Sequence, residues 1–332
     1  MKSLVVAFLA AASALTPATW IGDSMSVLGS KTLKEVLLTG THDSGTYYLT
    51  NSLMVGAADP QLEELIKVAE KLNVPIEDII TPWGTAQDQT FYEQMSGGIR
   101  YFDLRAGWDN STQCWRAFHF ECGLPVQALV NDIRRFLLQY PSEIVVVEAS
   151  HFWGNPTSPQ IKQLADILML ELGDLMYPND NGTFALTIGE MVDANQRAVV
   201  TMETIVGSYP AIFNGDVIYN TYANSDKLSG MVQFNNATVQ QFMGSTWPGQ
   251  LFKLSWTLTP ATDVILEGAL IGHPHTLLEL ADTANPHLPA FWQSMKEKGW
   301  KLGNILIIDH YEASEILEVV LDANGISQVL TY

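Results

Sequence analysis

Several residue types suited to proton transfer and anion binding follow apolar runs in this 332-residue sequence. The first cluster is Gly40-Thr-His42-Asp43-Ser-Gly-Thr46. The others are Asp103-Leu-Arg105, Ala117-Phe-His119, Glu148 with His151 just beyond, and Asp309-His310. Two histidines can act as base and acid in one phosphodiester cleavage, provided that a carboxylate or carbonyl fixes each tautomer. An arginine holds phosphate oxygens bidentately and keeps its charge at any working pH. Taken singly, each residue has an ordinary reading. A histidine after a strand is usually a loop residue, Arg105 could be a structural ion pair, and Asp309 could cap the next helix. Their joint placement at strand ends points to acid–base chemistry on an anionic substrate.

The elements that would position them alternate. Val36–Thr39, Ile99–Leu104, Ile144–Glu148, Ala198–Thr201, Leu251–Leu254 and Asn304–Ile308 read as short buried strands. Helical spacing predicts helices over 62–72, 126–140 and 160–172, and near 277–281, 290–298 and 314–321. Such alternation implies βαβ units and a parallel sheet. The fold expected is α/β, a distorted (β/α)8 TIM-like barrel in a single domain, with its active site at the C-terminal ends of the strands. No Pro/Ser/Gly linker divides the chain, and no glycine fingerprint follows the first strand to favour an open doubly wound sheet.

Hydrophobic residues make up 47% and charged residues 16%, a globular composition. The chain carries 17 basic against 36 acidic residues, a net charge of −19. That surface repels phosphate backbones, so nucleic acid is not an expected partner, and it disfavours simple electrostatic docking on anionic membranes.

Lys2 followed by the apolar stretch Leu4–Leu15 and small residues up to Ala18 reads as a signal peptide over residues 1–18, which leaves 19–332 as the catalytic domain. Ala12-Ser13-Ala14 and Thr16-Pro17-Ala18 both offer cleavage sites. The expected location is therefore secreted and extracellular. Three sequons, at Asn110, Asn181 and Asn236, sit in polar, turn-like stretches and are the expected glycosylation sites. Cys114 and Cys122 are the only cysteines, and an oxidising compartment predicts one disulfide between them, bracketing His119.

The run Leu38-Thr-Gly-Thr-His-Asp-Ser-Gly-Thr-Tyr47, followed by Gly98-Ile-Arg-Tyr-Phe-Asp-Leu-Arg105, resembles the two signatures of the phosphatidylinositol-specific phospholipase C X-domain family. Trp83–Gln87, Glu143–Phe152, Trp256–Pro260 and Asn304–Asp309 are similar to further segments of its X-domain-only members. The resemblance implies His42 as general base toward the inositol 2-hydroxyl and His119 as general acid toward the departing diacylglycerol oxygen. It implies Arg105 as the group that stabilises phosphate charge and Asp309 as the partner of His42. Asp43 and Asp103 would support His119 and Arg105. The product would be a cyclic inositol phosphate. Glu148 and Trp256 are the candidate substrate contacts. The substrate would be phosphatidylinositol or a GPI-type lipid, met through transient contact with a membrane surface, with Trp153, Phe242 and Trp247 as candidate aromatics for that contact. No protein partner is implied.

The metal-dependent members of that family carry a carboxylate where this chain has Arg105, so the resemblance is to the metal-independent type and no cofactor is expected. Calcium on Glu148 and Asp43 is the alternative. No clear basic residues match those that grip extra ring phosphates. Two other readings stay open. One is a metal-dependent glycerophosphodiester phosphodiesterase, and the other is a non-catalytic secreted lipid-binding protein on the same fold.

Overall fold

The computed structural model describes residues 15–50, 52–53, 60–243, 250–271, 274–327 and 330–331. Ten strands form one sheet: β1 Leu38–Thr41, β2 Tyr101–Asp109, β3 Cys114–His119, β4 Glu121–Pro125, β5 Val145–Trp153, β6 Ala198–Met202, β7 Ile212–Asn214, β8 Ile218–Thr221, β9 Leu251–Trp256 and β10 Ile305–Ile308. Eight of them run parallel in the order β7-β6-β5-β2-β1-β10-β9-β8 and curl into an incomplete barrel. Its two end strands, β7 and β8, follow one another in the chain, joined only by the turn Gly215–Val217. This is the distorted single-domain barrel that the alternation of apolar runs predicts.

Strands such as Ile305-Leu-Ile-Ile308 and Val145-Val-Val147 are buried along their whole length, because helices cover the outer face of a parallel sheet while side chains fill its interior. The helix Val126–Gln139 shows why such helices form. It buries Val126, Leu129, Val130, Ile133, Phe136 and Leu137, at spacings of three and four, and leaves its other face polar. Thr90 with Glu93, Thr157 with Gln160 and Thr187 with Glu190 form capping boxes at three helix starts.

Register sets the height of the functional residues. Thr41 pairs with Ile308 on one side and Phe102 on the other. The next residue, His42, therefore stands level with Asp309 and Asp103 at the C-terminal mouth. The first strand starts two residues later than its apolar run predicts. Leu37 instead exchanges both backbone hydrogen bonds with the Asn324 side chain, at 3.0 and 2.8 Å.

The antiparallel hairpin β3–β4 is inserted beside β2 and is the largest feature that the alternation pattern does not predict. It carries His119 to the mouth. Gly45 makes room for it, since a Cβ there would lie 2.7 Å from the Ala117 methyl. The disulfide expected across this hairpin is not formed: Cys114 and Cys122 are both free thiols. The ladder explains the difference, because Cys122 stands opposite Phe118 while Cys114 stands opposite Asp109 on β2.

At the base of the barrel, the buried Arg100 guanidinium donates to Glu143 and to four carbonyls, those of Met95, Ile99, Pro17 and Ala18. Leu15 is fully buried, and its carbonyl accepts the Thr331 N–H at 2.9 Å. Removal of a leader after Ala14 leaves these contacts intact, whereas a cut after Ala18 deletes them. A chain starting at Thr19 is expected to be about 3 kcal/mol less stable than one starting at Leu15, through the lost apolar burial and two lost bonds to a buried charge. Denaturant titration of the two chains measures this, and equal midpoints would show that the segment contributes nothing.

Candidate active site

A cavity of about 300 Å³ opens at the barrel mouth, lined among others by His42, Arg105, His119, Tyr222 and Asp309. A larger cleft of about 700 Å³, bounded by Pro17, Gly97 and Leu317, gathers no histidine or basic side chain. The chemistry is therefore in the smaller cavity.

Each histidine is oriented through its Nδ1. His42 Nδ1 lies 2.8 Å from Asp309 Oδ1, and His119 Nδ1 lies 2.7 Å from the Gly84 carbonyl. An acceptor at Nδ1 fixes the proton there, so both rings present Nε2 to the cavity. Asp43 Oδ2 lies 3.6 Å from Nε2 of His42 and 3.6 Å from Nε2 of His119. The Arg105 guanidinium pairs with Asp43 through Nε and lies 3.6 Å from Asp103. Its Nη2 sits 2.8 Å from His42 Nε2. An arginine has only donors, so this contact requires a neutral His42 whose Nε2 accepts.

Supporting bonds hold the cluster. Asp43 adopts a left-handed backbone, φ 44°, and its carbonyl accepts from Thr46 Oγ1 at 2.8 Å. Asp103 accepts the Asp43 N–H at 3.2 Å. Gln87 staples β1 to β10, its amide donating to the carbonyls of His42 and Ile308. Asn285 donates to the Asp309 carbonyl at 3.0 Å. The segment Trp83–Gln87 thus supplies a cavity wall, the carbonyl that orients His119 and the staple beneath His42.

Burial opposes charge on every one of these groups, and the neighbours decide the outcome. His42 is pushed down by burial but ends above its ordinary value because Asp43 and Asp309 flank it. His119 ends below its ordinary value, since burial and Arg105 outweigh Asp43. Burial raises Asp309, and His42 only partly offsets this. Burial raises Asp43 and Asp103 most, but Arg105 together with the neighbouring histidines, and Lys253 for Asp103, holds both low.

Seven residues singled out by sequence do gather here: His42, Asp43, Asp103, Arg105, His119, His151 and Asp309. Two other candidates do not line the cavity. Glu148 is buried within the barrel, where it accepts from Lys253 at 2.6 Å and from Tyr101. Trp256 is buried in the core against Phe291, and its indole N–H points to the Ala284 carbonyl at 3.3 Å. The cavity wall includes Asn220, Tyr222, Asn224 and Thr259, which sequence reasoning passed over because β8 is short and lacks an apolar run. The Tyr222 ring lies 5.6 Å from that of His42.

Among the described residues one metal-like grouping exists, in which His42, Asp43 and Asp103 bring ligand atoms within 4.8 Å of one another. The donor set does not fit calcium. Asp43 and Asp103 face the Arg105 guanidinium, and Glu148 is bound to the Lys253 ammonium. A protein cation already stands at each carboxylate that would hold the ion.

The aromatics considered for membrane contact pack inward. Trp153 stacks on Phe118 at 4.7 Å and Phe242 on Phe252 at 4.3 Å, while Trp247 lies outside the described residues. Among the described residues no helix is long and apolar enough to cross a membrane. Asn110 and Asn181 are exposed in turns. Asn236 instead lies half-buried within the helix Leu228–Met243, its amide nitrogen donating to the Val232 carbonyl at 2.9 Å.

A curled parallel barrel with paired histidines and an arginine at its mouth has the fold of solved phospholipases C. Relatives match along most of the chain. PI-PLC X domain-containing protein 2 of Mus musculus is 24% identical over 322 residues, covering 95% of this chain and 90% of that protein. The variant-surface-glycoprotein phospholipase C of Trypanosoma brucei brucei is 22% identical over 311 residues, covering 88% and 85%. The solved phosphatidylinositol-specific phospholipase C of Listeria monocytogenes shares the fold, with a TM-score of 0.61 at 16% identity over 95% of this chain and all of that one. No family model matches. The chain is thus similar along most of its length to PI-PLC X domain-containing proteins, and it shares its fold with a bacterial phosphatidylinositol-specific phospholipase C.

Proposed function

We propose that the protein is a secreted phosphoric diester hydrolase that cleaves phosphatidylinositol or GPI-type lipids without a metal ion. The observation that carries this reading is the shared carboxylate: Asp43 Oδ2 stands 3.6 Å from Nε2 of both His42 and His119, with Arg105 on the same residue. A base, an acid and a permanent cation thus converge on one small cavity. The names of the relatives agree with a lipid phosphodiester substrate. The leader-like N-terminus supports secretion, and exposed Asn110 and Asn181 are the sequons suited to carry glycans.

In this mechanism Arg105 leaves His42 Nε2 for the phosphate oxygens. Freed, His42 takes the proton of the inositol 2-hydroxyl. The oxygen attacks phosphorus as the bond to the diacylglycerol oxygen breaks, and His119 supplies the proton to that leaving oxygen. One O–P bond forms and one breaks, giving a cyclic inositol phosphate and diacylglycerol. Asp309 stabilises the imidazolium on His42, and Arg105 stabilises charge on the phosphoryl oxygens. Metal independence rests on Arg105 standing as the cation at Asp43 and Asp103.

The pH profile follows from the two histidines. The base works deprotonated and the acid works protonated, so the pair is productive when it holds one proton. With His42 raised and His119 lowered, most of the one-proton form carries its proton on His42, and the productive form, protonated on His119, is a minor share in constant ratio to it. The profile of kcat/KM is therefore expected to be a bell, rising below the ordinary histidine value of about 6.5 and falling above it. Asp309→Asn removes a raising charge from His42 and should draw the upper limb downward. A profile with one limb, or an upper limb indifferent to Asp309, contradicts the assignment.

The direct test is phosphorus NMR of the protein with phosphatidylinositol in detergent micelles and chelator present. A cyclic inositol phosphate signal supports reaction, nucleophile and metal independence together. Activity only after added calcium overturns metal independence, and silence in both conditions favours a binding protein on this fold.

A further inference from the structure

His119 is the last residue of β3, and the chain reverses over one residue before β4 begins. That residue, Phe120, has φ 63°, a conformation that a side chain other than glycine rarely adopts. Its ring stacks on the His119 imidazole with centroids 4.6 Å apart, so a relaxation of the turn would carry the imidazole with it. Across the turn the ladder pairs His119 with Glu121.

The Glu121 side chain is fully buried. The Thr81 hydroxyl donates to its carboxyl, lying 2.8 and 3.0 Å from the two oxygens. Burial pushes this carboxyl up, Glu77 adds to the effect and the Thr81 hydroxyl opposes it. Among the described residues no cation pairs with it. A carboxyl buried in that way costs free energy, so packing alone does not account for it.

Thr81 lies in the helix Glu77–Gly84, and the last residue of that helix supplies the carbonyl 2.7 Å from His119 Nδ1. The helix closes on Thr81, whose carbonyl accepts from the Thr85 N–H and hydroxyl. Three residues separate Thr81 from Gly84, less than one helical turn. The two residues that flank Phe120 therefore grip the same turn of one helix, His119 through Gly84 and Glu121 through Thr81. The approach is close: a Cβ on Gly84 would lie 3.3 Å from the His119 carbonyl oxygen.

We propose that Glu121 is a positioning residue for His119: its bond to Thr81 holds the hairpin turn against the helix end, so that the Gly84 carbonyl keeps a proton on His119 Nδ1 and Nε2 stays aimed into the cavity. The role rests on the function proposed above, in which His119 is the acid. The ring is set before the substrate arrives, as proton delivery to a departing oxygen requires.

The test uses the whole protein, with phosphatidylinositol in mixed micelles and with an inositol nitrophenyl phosphodiester, whose leaving oxygen needs no proton. Glu121→Ala is expected to lower kcat on phosphatidylinositol about 10–100-fold, with KM changed less than about three-fold. On the nitrophenyl substrate the loss should shrink to less than about three-fold. Thr81→Val removes the donor and keeps the shape, and it should reproduce this pattern. Glu121→Gln keeps an oxygen for the Thr81 hydroxyl and should recover most of the loss. Nitrogen NMR of the neutral His119 ring gives a second readout: one Nδ1–H tautomer in the wild type, and a mixture in Glu121→Ala and Thr81→Val. If Glu121→Ala does not fold, Thr81→Val and Glu121→Gln carry the same readouts. The proposal is overturned if the variants keep wild-type kcat, if the loss is equal on both substrates, or if the melting temperature falls while kcat and the tautomer stay unchanged. A wild-type protein without turnover would instead overturn the catalytic reading, and the His119 tautomer in Thr81→Val would still decide the role of Glu121.

Discussion

Replacing His42 with alanine is expected to lower kcat on phosphatidylinositol by about 10³–10⁴-fold, because it removes the proton acceptor for the attacking hydroxyl. The same substitution at His119 is expected to cost about 10²–10⁴-fold. The size of the losses does not separate the roles, but the leaving group does. With a nitrophenol in place of diacylglycerol, the departing oxygen needs no proton. The deficit of His119→Ala should then shrink by an order of magnitude or more, while that of His42→Ala should persist. Steady-state kinetics of both variants on both substrates measure this. If the nitrophenyl substrate rescues His42→Ala instead, the assignments are reversed, and if it rescues neither, the two-histidine mechanism fails. Asp309→Asn is a useful companion. The Nδ1 partner survives in altered form, so its cost should be smaller than that of losing the ring.

Arg105→Lys is expected to cost about 10²–10³-fold in kcat, even though the charge is conserved. The guanidinium engages Asp43 through Nε while Nη2 reaches His42. An ammonium is a single point and cannot span two partners, so it will sit on one carboxylate or on the substrate, not both. The melting temperature should fall little, because Asp43 keeps a cationic partner. Near-normal turnover in Arg105→Lys would mean that only net charge matters at this position, and the bidentate account would be lost. A large loss matched by an equal loss of stability would make Arg105 a structural ion pair, the reading it has when considered alone.

The strand ends were legible because each apolar run of the parallel sheet is short and stops at a polar residue. His42, Arg105 and Asp309 each lie within one or two residues of such a run or inside it. The hairpin that carries His119 was not legible as an insertion, since β3 mixes Trp115, Arg116 and Phe118 without a clean alternation of apolar and polar residues. Glu148 was misjudged for a related reason. It ends an apolar run as the residues at the barrel mouth do, and only the register reveals Lys253 and Tyr101 waiting for it inside the barrel. Trp256 was misplaced because an aromatic at a strand end looks the same in sequence whether it faces the cavity or the outer helices. The neutral wall formed by Asn220, Tyr222 and Asn224 arises where β7 and β8 break the regular pattern, and an interrupted strand leaves no periodic trace.

The contact between Arg105 Nη2 and His42 Nε2 makes the site selective about what it activates. In the structure the lone pair that the proposed mechanism needs on His42 is already in use. An alcohol that enters without a phosphate leaves the arginine where it is and meets a base that cannot accept its proton. A phosphodiester draws the guanidinium away and uncovers the base in the same movement. On the proposed mechanism the site is thus latched against sugars and polyols that merely fit, and the key is the anion that the reaction would consume.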